Sequence, residues 1–157
     1  MMKNRNVLKV FVSLLVAFIL SLTKAATSTK YTDCGSVSGK IQSLVVSGCD
    51  SGDRCILKSG STVSLNVSFN SLTDSNKVIT VIHGVIGGVP LPFPVPNPNA
   101  CQSSGLQCPV KNGKLYDFSY SLEVKKSYPK LDVDVKWELQ DDNGKDIICA
   151  TVPAKIE

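Results

Sequence analysis

The sequence predicts an all-β domain, a sandwich of about seven strands. Three observations carry that reading: apolar and polar side chains alternate with a period of two in run after run, no long stretch has a 3.6-residue apolar repeat, and turn-forming residues separate the runs. At 157 residues the chain has room for one buried core and one domain.

The strands follow in order. Val37 to Val46 is the first, and Thr62 to Phe69 the second, where Val63, Leu65, Val67 and Phe69 alternate with Ser64, Asn66 and Ser68. Val78 to Ile86 is the third; it is apolar on both faces except for Thr80 and His83, which predicts a strand covered on both sides or bent at Gly84, Gly87 and Gly88. A fourth falls in the 90s. Tyr116, Phe118, Tyr120, Leu122 and Val124 mark the fifth. In the sixth, Leu131, Val133, Val135, Trp137 and Leu139 interleave with Asp132, Asp134, Lys136, Glu138 and Gln140, so a one-residue slip would bury the charges. Asn143-Gly144 supplies the positive φ of a tight hairpin, making Asp146 to Val152 its antiparallel partner. Seven short strands of this kind suit an immunoglobulin-like sandwich.

The N-terminal residues read as a secretory signal. Lys3, Arg5 and Lys9 precede the apolar run Val10 to Leu22, and small residues from Thr23 to Ala26 follow, with cleavage expected after Ala25. The domains are then 1–25, a signal peptide, and 26–157. The apolar run is too short to span roughly 30 Å of hydrocarbon comfortably. Lys3, Arg5, Lys9 and Lys24 carry the whole formal excess of +4, so the mature chain sets 13 basic residues against 13 acidic ones. A charge-driven nucleic-acid partner is excluded on that balance.

Six cysteines behind a signal peptide point to an oxidising compartment and three disulfides, out of fifteen formal pairings. Cys49 with Cys55 and Cys101 with Cys108 are near enough to staple single loops, which leaves Cys34 and Cys149 to join the ends of the domain. Zinc is disfavoured, because no Cys-x-x-Cys occurs and His83 is the single histidine.

The segment from Val89 to Pro98 places Pro90, Pro92, Pro94, Pro96 and Pro98 at every second position. Proline cannot donate to a ladder, so this is an edge strand or a polyproline-like strap. If it is extended, Val89, Leu91, Phe93 and Val95 share one side, an apolar rib suited to lining a cavity. Nothing resembles a catalytic set: His83 lacks a partnered nucleophile, Asp132 and Asp134 belong to a solvated face, and Asp141 to Gly144 is turn chemistry without the length of a calcium loop. The sequon Asn66-Val67-Ser68 puts Asn66 on the polar face of its strand, where a glycan fits.

The cysteine order, His83-Gly84 leading into Val89-Pro90-Leu91-Pro92-Phe93-Pro94, Cys108-Pro109, Tyr128-Pro129 and Trp137-Glu138-Leu139-Gln140-Asp141 together resemble the Niemann-Pick type C-2 family of ML lipid-recognition domains, most of all its insect branch. The resemblance covers the mature chain. It implies the same three disulfides, no cofactor, no metal and no enzymatic activity, and a cavity between the sheets that takes one cholesterol-like sterol, apolar tail inward. It further implies a mouth at Phe93, Val124, Tyr128 and Pro129, with Leu91 and Val95 on the rib and Val133, Val135 and Trp137 inside. Lys125, Lys126 and Ser127 would contact the membrane or a sterol transporter of the Niemann-Pick type C-1 kind, the carrier acting as a monomer that is secreted or lysosomal. A secreted module that presents a fatty acid or microbial lipid to a receptor uses the same cavity. Asn97 and Asn99 stand where acidic residues are common in vertebrate members, and Ala150-Thr151 where a larger aromatic residue is usual.

Overall fold

The computed structural model describes residues 28–49 and 53–157. The expected signal peptide lies outside the described residues. Nine strands and one helical turn follow in order: β1 (Thr32–Asp33), β2 (Gly39–Val46), β3 (Cys55–Leu57), β4 (Thr62–Ser71), β5 (Ile79–Ile86), β6 (Val89–Phe93), α1 (Ala100–Ser103), β7 (Leu115–Glu123), β8 (Asp132–Gln140) and β9 (Asp146–Ile156). All seven expected strands are present, and the two additions, β1 and β3, are too short for alternation to register.

They form two sheets. One runs β1-β9-β8-β5-β6, with β3 joined in parallel to β9; the other is β2-β4-β7. The inward residues of β4, β7 and β8 close on one another, and Phe118 meets Trp137 at 4.8 Å between ring centroids. Phe69, Leu44, Leu139 and Ile148 complete a dry centre. The disulfides are Cys34–Cys149, Cys49–Cys55 and Cys101–Cys108, as expected from spacing.

Three local expectations are corrected. The β8–β9 connection is a five-residue loop, 141–145, instead of a two-residue turn, since Gln140 pairs with Asp146. Asp141 organises it by accepting from the backbone N–H groups of Asn143 and Lys145, so positive φ is needed only at Gly144. The two-residue turn lies instead between β5 and β6, where Gly87 and Gly88 take φ of +59° and +83° and Ile86 pairs with Val89. β9 also runs four residues further than Val152, because its far end holds β3 on one side and β8 on the other.

The third correction concerns Glu138, expected among the solvated charges of β8 but only 4% exposed. In the ladder it stands opposite Cys149, whose disulfide to Cys34 draws the segment after Cys34 over the outer face. Val37 and Ser38 donate their backbone N–H groups to the Asp146 carbonyl, and Ser36 Oγ accepts from the Cys149 N–H, which fixes that cover.

The proline segment is an edge strand as far as Phe93, in antiparallel register with β5 from Ile86↔Val89 to Ile82↔Phe93. An edge tolerates the missing donors of Pro90 and Pro92. β6 therefore bounds one sheet and β7 the other, and the sandwich has a side flanked by two free edges.

Candidate functional site

Two adjoining apolar chambers occupy the space between the sheets near those edges. The inner one, about 50 Å³, is walled by residues including Val46, Leu65, Tyr120, Trp137, Ala150 and Val152. The outer one, about 70 Å³, is walled by residues including Phe93, Val124, Tyr128, Val133 and Ile156. Leu57, Ile82, Leu122 and Val135 border both, so the chambers form one track from the rim towards Trp137. Larger hollows of about 450 and 560 Å³ are surface grooves bordered by polar groups such as Lys111, Lys114, Ser103 and Ser121. A solvated groove offers an apolar molecule much less than an enclosed dry one does.

Each wall follows from strand periodicity. On β8, Val133, Val135 and Trp137 point inward; on β5, Ile82 lies opposite Trp137 and Gly84 opposite Val135. A β-carbon at Gly84 would meet Val133 Cγ2 at 3.4 Å, an ordinary van der Waals contact. On β7, Tyr120 and Leu122 are the inward residues, followed by Val124 beyond the strand end.

The structure thus brings Phe93, Val124, Tyr128, Val133, Val135 and Trp137 to one track. Phe93 and Tyr128 stand edge to face at 5.8 Å across its rim. Pro129 is exposed on the neighbouring loop, outside either wall. The rib divides: Phe93 and Val95 are half-buried against the core, whereas Val89 (57%) and Leu91 (50%) are exposed. Leu91 therefore does not line the chambers. Its partner in β5 is Gly84, which still pairs with Val135; the Ile86↔Val89 pair lies beyond the last β5–β8 pair, Val85↔Asp134, and with Leu91 on the same face it forms an exposed apolar tip.

Lys125, Lys126 and Ser127 are exposed in the loop between β7 and β8, which turns back through a bond from the Tyr128 N–H to the Lys125 carbonyl. Lys126 lays its stem over Gly60. At the same end, Lys155 donates to Glu157 at 2.8 Å, and that pairing, with the fields of Lys130 and Lys58, holds the Glu157 carboxyl below the usual carboxylate range. Lys58, Lys130 and Lys155 thus gather about Glu157, the neighbour in sequence of the outer-chamber residue Ile156.

Sequence reasoning missed much of the walls, among them Tyr120, Leu122, Leu57, Ile82 and Ile156. Ile82 was legible, since it shares the alternation of Thr80 in β5. Leu57 and Ile156 were not, because the parallel β3–β9 pair that presents them is set by tertiary contact alone.

On the outer face, His83 Nδ1 lies 3.1 Å from Glu138 Oε2, and Lys136 Nζ donates to Glu138 Oε1 at 2.8 Å. Glu138, Asp146 and Cys149 also approach one another, but the Cys149 sulfur is bonded to Cys34 and both Glu138 oxygens are engaged, which leaves no ligand set for a metal. Inside, the Trp137 Nε1–H is buried and finds no acceptor among the described residues. An unmet buried donor costs about 1–3 kcal/mol. Among the described residues no helix is long and apolar enough to cross a membrane.

The sequence matches the ML domain family over residues 28–156. It is 44% identical over 138 residues to NPC intracellular cholesterol transporter 2 homolog a of Drosophila melanogaster, covering 87% of this chain and 93% of that protein. It is 40% identical over 147 residues to NPC intracellular cholesterol transporter 2 of Bos taurus, covering 92% and 97%. Among solved structures, a Niemann-Pick type C2 protein from Japanese carpenter ant superposes with a TM-score of 0.78 at 31% identity, over 82% of this chain and 99% of that one. The chain belongs to the ML domain family, within its Niemann-Pick type C-2 branch.

Proposed function

We propose that this protein carries one sterol-like lipid between its sheets and exchanges it with membranes or a membrane sterol transporter of the Niemann-Pick type C-1 kind, as a secreted or lysosomal monomer. The observation that supports this most is the continuous apolar track from the Phe93–Tyr128 rim to Trp137. Burying on the order of 400 Å² of apolar ligand at ~25 cal/mol/Å² yields about 10 kcal/mol gross, from which immobilisation is subtracted. Carriage asks nothing further of the residues, and no covalent step is needed.

The chambers of about 50 and 70 Å³ are well below the roughly 300–1,000 Å³ of cavities that enclose a small-molecule ligand. The ligand must part the sheets as it enters. The free edges β6 and β7 allow that, since neither is tied to a further strand on its outer side.

The surroundings of the rim support transient membrane contact. Ile86, Val89 and Leu91 offer an apolar tip able to enter the interfacial region, while Lys58, Lys125, Lys126, Lys130 and Lys155 suit anionic headgroups. Sterol transfer between liposomes, together with identification of lipids that copurify with the mature protein, tests the proposal. Transfer accelerated by anionic acceptor liposomes is expected; no bound lipid and no transfer would overturn it.

Asn66 is exposed on β4, where its side-chain oxygen accepts from Ser119 Oγ at 2.7 Å. A glycan there would project from the outer face of the three-stranded sheet, away from the rim. Enzymatic deglycosylation of protein from a secretory host should lower its mass, and Asn66→Gln should abolish that change.

A further inference from the structure

The two free edges of the sandwich are finished differently. β6 carries Pro90 and Pro92, and a strand approaching from outside finds no N–H at either. β7 carries no proline. Its Ser119 N–H points off the sheet and donates to the Ser104 carbonyl. Ser121 faces the same way, because its ladder partner Ser64 has turned both backbone groups towards β2: the Ser64 carbonyl accepts from the Ser47 N–H, and the Ser64 N–H donates to Ser47 Oγ. Among the described residues no backbone group bonds to the N–H or carbonyl of Ser121.

This stretch of edge lines the polar groove of about 560 Å³, with Pro96, Asn97 and Ser103 across from it. Ser103 Oγ donates to the Asn97 and Asn99 carbonyls at 3.1 and 3.0 Å, which fixes that opposite wall. Neither Phe93 nor Tyr128 borders the groove, so it is separate from the rim of the apolar track.

Asn66 stands beside it. Its Oδ1 accepts from Ser119 Oγ at 2.7 Å, so the side chain leans over β7 and touches a residue of the groove. Strands are about 4.8 Å apart, and a single sugar on Asn66 is long enough to cross β7 to its edge. N-acetylglucosamine suits what it would meet there. Its acetamido group carries the donor and acceptor of a peptide unit, matching an unpaired N–H and carbonyl, and its hydroxyls match Ser121 and Asn97.

We propose that the two N-acetylglucosamine residues at the base of an N-linked glycan on Asn66 lie in this groove and cap the β7 edge at Ser121. The glycan then does for β7 what Pro90 and Pro92 do for β6. The inference rests on the reading that Asn66 is glycosylated, and it goes further by giving the sugars a binding site on the protein's own surface.

Two forms of the native mature sequence test it, one secreted with its glycan from a eukaryotic host and one made without N-glycans in a bacterial periplasm. The Ser121 amide should exchange its hydrogen about tenfold more slowly in the glycosylated form. Isotope-edited NMR of that form should show contacts from the acetamido methyl protons to Ser121 or Asn97. With the glycan mass present, absence of either effect would overturn the inference and leave the glycosylation of Asn66 standing. Secreted protein without glycan mass on Asn66 would overturn both.

Discussion

Phe93 and Tyr128 meet edge to face, ring centroids 5.8 Å apart and planes at 78°, across the rim of the apolar track. One comes from the edge strand β6 and the other from the loop after β7, so their contact bridges the two sheets where neither is tied by a ladder. An aromatic pair of this geometry is worth about 0.5–1.5 kcal/mol beyond its buried area. It is strong enough to close a rim and weak enough to open thermally.

Phe93→Ala should therefore weaken sterol binding by about tenfold and speed release, while costing only about 1–2 kcal/mol of stability because the side chain is half-buried. Stopped-flow displacement of a fluorescent sterol and urea unfolding measure the two effects. Unchanged affinity and release would show that the rim lies elsewhere.

The three disulfides should contribute unequally. Cys34–Cys149 spans 115 residues in sequence, against 6 and 7 for the others. Chain-entropy arithmetic gives about 4–5 kcal/mol for the long loop and about 2–3 kcal/mol for each short one. The long bridge also holds the cover over Glu138. Replacing Cys34 and Cys149 by alanine should lower the urea midpoint more than replacing either local pair. An equal loss from all three would argue that native-state packing, rather than loop closure, sets their worth.

The sequence made the sandwich legible because Val133, Val135 and Trp137 alternate so cleanly with charged residues that only one register keeps the core dry. The rim residues Phe93, Val124 and Tyr128 came through family resemblance, on motifs dense enough to carry them one by one. What was illegible has a common cause. Glu138 lies on a face that reads as solvated, and it is buried by a segment brought in through a disulfide across 115 residues. Leu91 shares the phase of Phe93 but is 50% exposed, two residues nearer the β5–β6 turn and outside both chambers. Alternation assigns a side chain to a face; it cannot say how far the neighbouring elements extend over that face.

The Glu138 cluster should respond asymmetrically to its partners' removal. The carboxylate is enclosed, whereas the Lys136 and His83 side chains remain 29% and 25% exposed. In Glu138→Gln, the cations can turn towards water and the amide still accepts, so the cost is about 1 kcal/mol. In Lys136→Met, a buried carboxylate keeps only the histidine contact, and the loss approaches the roughly 3–5 kcal/mol of a stranded buried charge. Urea unfolding at neutral pH should rank Lys136→Met well below Glu138→Gln. The reverse order would mean that Glu138 reaches solvent.

Asp146 gives the fold a dependence on pH opposite in sign to that of a paired carboxylate. Burial raises its pKa above the usual carboxylate range; the Gln140 amide, donating at 3.2 Å, and the Lys136 charge work against the shift, and the Glu138 carboxylate adds to it. A carboxyl raised in this way holds its proton more tightly when folded than when unfolded. Its contribution to stability is complete below the ordinary Asp value and is lost as pH rises through the raised one. Asp146→Asn cannot titrate and keeps an oxygen for Gln140, and the backbone carbonyl that receives Val37 and Ser38 is unaltered. The variant should therefore gain on the wild type as pH rises from below the ordinary Asp value through the raised one. The gain should be a fraction of a kcal/mol, since water partly screens the site. Urea midpoints at several pH values check this: a difference that is flat with pH, or one that moves in favour of the wild type as pH rises, would show that Asp146 is held as a stabilised anion.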